Sequence, residues 1–264
     1  NSFIHQVYQD SSGLLWLATE NGLNIYNIEQ QSFENIIAKN TLGKSKNNVW
    51  SIAEDKKYIW AGVENQLIKI EKSTKKITPI SLSLSTNAKN LKIRKIKFIE
   101  QTTLFIATEG NGIIKFNTKD NSSIHYYSEN SGLKSNTTWD FYKYAENQLW
   151  IATNRGICIY NIKSDKISQH AILNARINNA SVSTIFEDKS GIIWIGTENS
   201  GLYKFKFLEN VDHYAYNATI GTSLSSNKIN TIYEDNTGII WIGTQSGVDK
   251  FDKQKQYFKH YQHW

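Results

Sequence analysis

The sequence predicts an all-β protein of the β-propeller class. Three observations carry this: a sixfold internal repeat, four strand-like runs in every copy, and no run with helical period. An aromatic residue among aliphatics recurs at Trp16, Trp60, Phe105, Trp150, Trp194 and Trp241, spaced 44 to 47 residues apart. The repeats fall at about 1–44, 45–89, 90–134, 135–178, 179–225 and 226–264. Four antiparallel strands at a period of roughly 40 to 45 residues is the arithmetic of a propeller blade, whereas solenoids usually repeat at roughly 20 to 30. Either a closed six-bladed ring or part of a seven-bladed one satisfies it.

Each element has a local reason. In the last repeat, runs rich in Ile, Val, Tyr, Phe and Trp span Ile229 to Glu234, Ile239 to Thr244, Gly247 to Asp252 and Tyr257 to Gln262. The turn joining the first two runs carries Asp and Gly (Asp10 with Gly13, Asp188 with Gly191, Asp235 with Gly238), residues that tolerate the positive φ of tight hairpins. Repeats two to four shorten that turn. Gly22, Gly112, Gly156, Gly201 and Gly247 open the third run, where the second repeat has Gln66. Asn and Ser collect in Ser128 to Asn136 and in Asn217 to Asn227, which read as connections between blades. The lone proline, Pro79, gives no linker, and no internal domain boundary shows.

Composition narrows the classes. At 39% hydrophobic and 12% aromatic residues the chain can bury a core, which excludes intrinsic disorder. No apolar run approaches the roughly 18 to 20 residues of a membrane span, so no direct membrane insertion is expected. One cysteine, Cys158, permits no internal disulfide. The chain carries +6 overall, while Lys56 to Lys97 alone carries +9, so the positive field is regional.

Positions that recur in all six copies read as packing: the aromatic anchors as core between sheets, and the small residue plus Thr that follow as close-approach positions. Positions that change within a constant frame are the candidates for function. Aligning the first runs places His5, Trp50, Arg94, Trp139, Ser183 and Asn230 in one slot near the start of the innermost strand, around one mouth of a central channel. They either plug the channel or contact a polar ligand with apolar ring faces, for which two Trp, an Arg and three hydrogen-bonding groups are suited. The turns between second and third runs, such as Glu20-Asn21, Glu109 to Asn111 and Asn154-Arg155, open on the same side.

A catalytic set is not found. No nucleotide loop, serine elbow or His-Glu metal motif occurs, and no cofactor or metal is expected. His125, His213 and His260 recur in the fourth run and read as surface packing. His260 and His263 would face opposite sides of a strand. Asp140 is an acid without a partner. The basic strand of Lys92, Arg94, Lys95 and Lys97 suits either an anionic partner or a solvated face, and nucleic-acid binding lacks a motif.

The run Ile232-Tyr233-Glu234-Asp235 through Gly238-Ile239-Ile240-Trp241-Ile242-Gly243-Thr244 and Gly247-Val248 resembles the two-component regulator propeller repeat. The match is specific in repeats one, five and six, fair in four and degraded in two and three. The resemblance implies the periplasmic sensor region of a hybrid histidine kinase, recognising an oligosaccharide released from a polysaccharide; Trp50, Arg94 and Trp139, in the sector that carries the +9 segment, favour an acidic one. It also implies a neighbouring propeller and signalling domains in the same parent chain as partners, with a homodimer among the expected assemblies. The family motif carries no catalytic residue. Six copies without kinase or membrane helix read as a piece of a longer sensor. A propeller lyase or glycosidase is the second reading, and a protein-interaction scaffold the third.

Overall fold

The computed structural model describes residues 3–37, 48–84, 91–206 and 210–261. Six antiparallel four-stranded sheets account for the strands, each built from four consecutive runs. The first blade is β1 (Ile4–Gln9), β2 (Leu15–Thr19), β3 (Gly22–Asn27) and β4 (Ser32–Ile37). The second holds β5 (Val49–Glu54), β6 (Tyr58–Val63), β7 (Gln66–Glu71) and β8 (Ile77–Ile80). In the third are β9 (Lys92–Glu100), β10 (Thr103–Glu109), β11 (Ile113–Asn117) and β12 (Ser123–Tyr126). The fourth comprises β13 (Thr138–Ala145), β14 (Gln148–Thr153), β15 (Gly156–Asn161) and β16 (Lys166–Gln169). Strands β17 (Val182–Glu187), β18 (Ile193–Thr197), β19 (Leu202–Lys206) and β20 (Asn210–Tyr214) make the fifth. The sixth has β21 (Ile229–Glu234), β22 (Ile240–Thr244), β23 (Gly247–Asp252) and β24 (Tyr257–Tyr261). These are propeller blades, as the repeat predicts.

The chain divides into two compact units, Asn1–Tyr127 and Ser128–Trp264, with three blades in each. Composition does not mark this division, because Ser128 lies in an ordinary connection between blades. That connection is clamped by the Ser128 amide donating to Asn136 Oδ1 (2.7 Å), and the Tyr216 amide does the same to Asn227 Oδ1 (2.7 Å) two blades on.

One element departs from the expectation of no helix. Ala171–Arg176 forms α1, capped by His170, whose Nδ1 accepts from the Leu173 amide. Six residues are too few to display a period, so tertiary contacts decide this one. Leu173 and Ile177 enter the core, and Asn174 bonds both the amide (2.7 Å) and the carbonyl (2.9 Å) of Ile157 on β15.

The anchor aromatics pack as expected in five blades: Trp16, Trp60, Phe105, Trp150 and Trp194 are buried. Trp241 is only half-buried, a correction to the expected ring of buried anchors. Two anchors are covered by an aromatic of the blade that follows: Phe116 covers Trp60 (5.8 Å between ring centroids) and Phe251 covers Trp194 (5.7 Å).

The Asp of the first turn does more than shape the hairpin. One oxygen of Asp10, Asp55, Asp188 and Asp235 accepts turn amides, and the other accepts the indole N–H of Trp16 (2.7 Å), Trp60 (2.6 Å), Trp194 (3.0 Å) and Trp241 (2.7 Å). Where the turn lacks Asp, in the fourth blade, Trp150 Nε1 is buried with no hydrogen-bond partner among the described residues, and the ring stacks on Tyr144 instead. The Thr after each anchor also has a second duty: Thr19, Thr108, Thr153, Thr197 and Thr244 donate to the carbonyl of the glycine that opens the third strand. In the second blade, where that glycine is missing, Asn65 takes the positive φ of 68°. The small residue before the Thr is a close-approach position, since a Cβ on Gly196 would lie 2.6 Å from Ile229 Cγ2 of the next blade.

Candidate functional site

The six candidate residues share a backbone feature invisible in the alignment. In every first strand the pairing register skips one residue, and the skipped residue is the candidate. Ile4 pairs Thr19 and Gln6 pairs Ala18, leaving His5. Val49 and Ser51 flank Trp50, Ile93 and Lys95 flank Arg94, and Thr138 and Asp140 flank Trp139. Ser183 and Asn230 are skipped in the same way. A bulge bends the strand and re-aims the extra side chain, which is why six unlike residues share one slot.

The bulge is followed by a contact that joins successive first strands within each unit. Gln6 Oε1 accepts from the Ile52 amide (2.9 Å), Ser51 Oγ from the Ile96 amide (3.1 Å) and Asp140 Oδ2 from the Ile185 amide (3.2 Å). First strands are sheet edges, and these bonds satisfy edge amides that no strand pairs. Asp140 is therefore engaged: it is buried, and it also accepts from Thr184 Oγ1 (3.1 Å) and the Phe141 amide (2.9 Å).

In the first unit three bulge residues meet. The imidazole of His5 stacks on Trp50 with centroids 3.8 Å apart, and the guanidinium of Arg94 lies 4.0 Å over the Trp50 ring. Arg94 and Lys92 converge on Glu109, which lies at the end of β10, in the turn between second and third strands. Burial raises the Glu109 carboxyl, but the hydrogen bond and charge of Arg94 outweigh it and hold the group below the usual carboxylate range. Burial pushes the His5 imidazole down, aided by Arg94 and opposed by Glu20, and its buried Nε2 finds no partner among the described residues.

The second unit holds a smaller group. Trp139 Nε1 donates to Asn154 Oδ1 (2.6 Å), which also accepts from Ser181 Oγ (3.1 Å). Ser183 donates to the Ile229 carbonyl (2.6 Å), and Asn230 is exposed. In both units the bulge and the second turn thus lie at the same end of the blade, as the turn reading anticipated.

The histidines need one correction. His125 is buried rather than on the surface, and its Nε2 bonds the Asn111 carbonyl (2.6 Å) in the turn before Gly112. His213 holds the Ser200 carbonyl in the same way (2.6 Å), while His260 Nδ1 bonds Asp249 Oδ1 (2.8 Å). His263 and the end of the fourth run at Gln262 lie outside the described residues. Among the described residues no group of three or more His, Cys, Asp or Glu is arranged to hold a metal, and no helix is long and apolar enough to cross a membrane.

Four-stranded blades with a bulge in each first strand define a β-propeller, and known proteins share parts of it. Residues 1–21, 176–199 and 223–246 match the family model described as two component regulator propeller, in the first, fifth and sixth blades. Those three blades are thus similar to the two component regulator propeller repeat. Histidine kinase P4 of Formosa agariphila is 29% identical over 217 residues, covering 77% of this chain and 16% of that protein. The extracellular domain of a putative hybrid two component system from B. thetaiotaomicron matches with a TM-score of 0.76 at 23% identity, over 94% of this chain and 33% of that one. The extracellular domain of a putative one component system from the same organism gives 0.60 at 19%, over 98% and 38%. The chain spans about a sixth of the curated relative and about a third of these solved chains, and the structural likeness is one of fold.

Proposed function

We propose that the chain is a ligand-sensing domain of a hybrid two-component regulator, placed outside the cytoplasm and recognising an oligosaccharide by the bulge-lined ends of its blades. The observation that supports this reading is the set of six bulges. Backbone, turns and anchors repeat from blade to blade, while the aimed side chain is His5, Trp50, Arg94, Trp139, Ser183 and Asn230 in turn. A purely structural slot has no physical reason to hold two indoles, a guanidinium and three hydrogen-bonding groups. Indole faces suit the C–H face of a sugar ring, and a guanidinium suits a carboxylate or sulfate.

Arg94 makes the acidic variant specific. Its present partner is Glu109, so an anionic sugar would bind by exchanging one carboxylate for another, with Lys92 nearby to hold the displaced charge. Signalling then requires only that one receptor conformation bind the ligand better than another, because equal affinity shifts no equilibrium. Neighbouring domains of the parent chain, or a second copy, are the partners this implies.

Calorimetric titration of an acidic oligosaccharide panel tests the reading. The expected result is binding that Arg94→Ala or Trp139→Ala weakens tenfold or more, about 1.4 kcal/mol, while the fold is unchanged. Equal affinity in wild type and both variants would place the ligand elsewhere.

A further inference from the structure

Within each unit a clasp recurs between successive blades, and it fails at one place. At the end of the first strand, Glu54 accepts from the amide and hydroxyl of Ser11 and from Tyr8 Oη, all in the blade before it. Glu187 accepts from Tyr142 Oη, and Glu234 from the Lys189 amide (2.6 Å). The equivalent residue in β9 is Phe98. The blade before it also lacks the donors, because Ala53 stands where Tyr8 and Tyr142 stand. Its turn is one residue shorter too, the Asp55 amide bonding the Tyr58 carbonyl where the Asp10 amide bonds that of Leu14. All three parts of the clasp are absent together, and a cleft of about 710 Å³ opens between the second and third blades.

We propose that this cleft binds an uncharged, hydroxyl-bearing ring, a neutral sugar. Tyr58 and Phe98 supply its apolar wall, and the hairpins on either side supply its rim. Among the lining carboxylates, Glu54 is engaged by Lys72 (2.6 Å), and Asp55 by Trp60 and its turn amides. Lys57 is paired with Glu71 (2.9 Å). What remains is a lysine, Lys56, on one hairpin and a carboxylate, Glu100, on the other; Glu100 Oε2 accepts from Thr103 and Oε1 is left for a ligand. An anion would meet Glu100 and a cation would meet Lys56, whereas a hydroxyl donates to one and accepts from the other. The site is separate from the bulge-lined end: Trp50 and Glu54 lie four residues apart on β5, roughly 13 Å along a strand.

Titration with cellobiose, maltose and mannobiose, followed by ligand-observed NMR, tests the cleft, with digalacturonate as the charged comparison. At least one neutral probe is expected to bind better than digalacturonate. Tyr58→Ala should weaken it about tenfold, as should Phe98→Glu, which restores the carboxylate of the second, fifth and sixth blades. Lys56→Ala and Glu100→Ala, both exposed, should weaken it several-fold without altering Tm, and they decide the matter if Phe98→Glu does not fold. Arg94→Ala and Trp139→Ala should leave it unchanged, which separates this site from the oligosaccharide surface. No binding of any neutral probe, binding undiminished by all four cleft variants, or binding lost in Arg94→Ala would overturn the proposal.

Discussion

The guanidinium of Arg94 lies 4.0 Å over the indole of Trp50, joining the third blade to the second through two residues that both sit in β-bulges. Because Arg94 is also bound to Glu109, it is held at both ends, its charge answered and its plane stacked. Arg94→Ala removes both contacts and is expected to lower unfolding stability by about 1 to 2 kcal/mol in urea, within the range of a partly buried cation–π contact. Arg94→Lys should recover little of it, since an ammonium keeps the charge without the planar fork.

Two anchors that look alike in sequence should differ in cost. Trp194→Ala empties a site covered by Phe251 and is expected to destabilise by about 3 to 5 kcal/mol. Trp241→Ala, at a half-buried ring, should cost less than half as much. Denaturant unfolding of the two variants checks the difference, and equal losses would show that burial of the ring does not set its cost.

The clasp at Glu234 gives a third test. Glu234 is buried and binds Lys253 Nζ (2.6 Å), which also reaches Asp188 Oδ2 (3.0 Å), and it accepts the Lys189 amide. Glu234→Gln keeps the shape and one acceptor but removes the charge facing Lys253. A loss of about 2 kcal/mol is expected, smaller than for an isolated buried pair because Asp188 still answers the lysine. Thermal unfolding of Glu234→Gln beside Lys253→Met measures it.

Acidification should weaken the fold below neutral pH. Burial lowers both His5 and His170 from the ordinary value of 6.5. Below that value the unfolded chain takes up protons that the folded chain resists, so unfolding gains protons and stability falls as pH drops through 6.5 toward the depressed folded values. Denaturant curves at pH 7.5 and 5.5 should show the loss, and His5→Gln should flatten part of the slope. In Arg94→Ala the His5 titration followed by NMR should move back upward, since Arg94 is one of the causes of its depression.

The repeat, the strands and the turns were legible in the sequence because they follow from residues a few places apart. Period-two apolar runs make strands, Asp with Gly makes a tight hairpin, and Gly22, Gly156 and Gly247 take the positive φ that opens a third strand. The slot holding His5, Trp50, Arg94 and Trp139 was legible for the same reason, as a position in a repeat.

Tertiary structure decided what lies in that slot and between blades. That each slot is a bulge depends on pairing with the neighbouring strand. The stacking of Arg94 on Trp50 joins residues 44 apart, as does the bond between Asp140 and Thr184, and that between Gln6 and Ile52 spans 46. Helix α1 forms because Asn174 reaches β15, and the cleft beside Phe98 opens because a short turn, an alanine and a phenylalanine meet across two blades. Local propensity acts within a turn or a strand, whereas these features are set by contacts that exist only once two blades have packed.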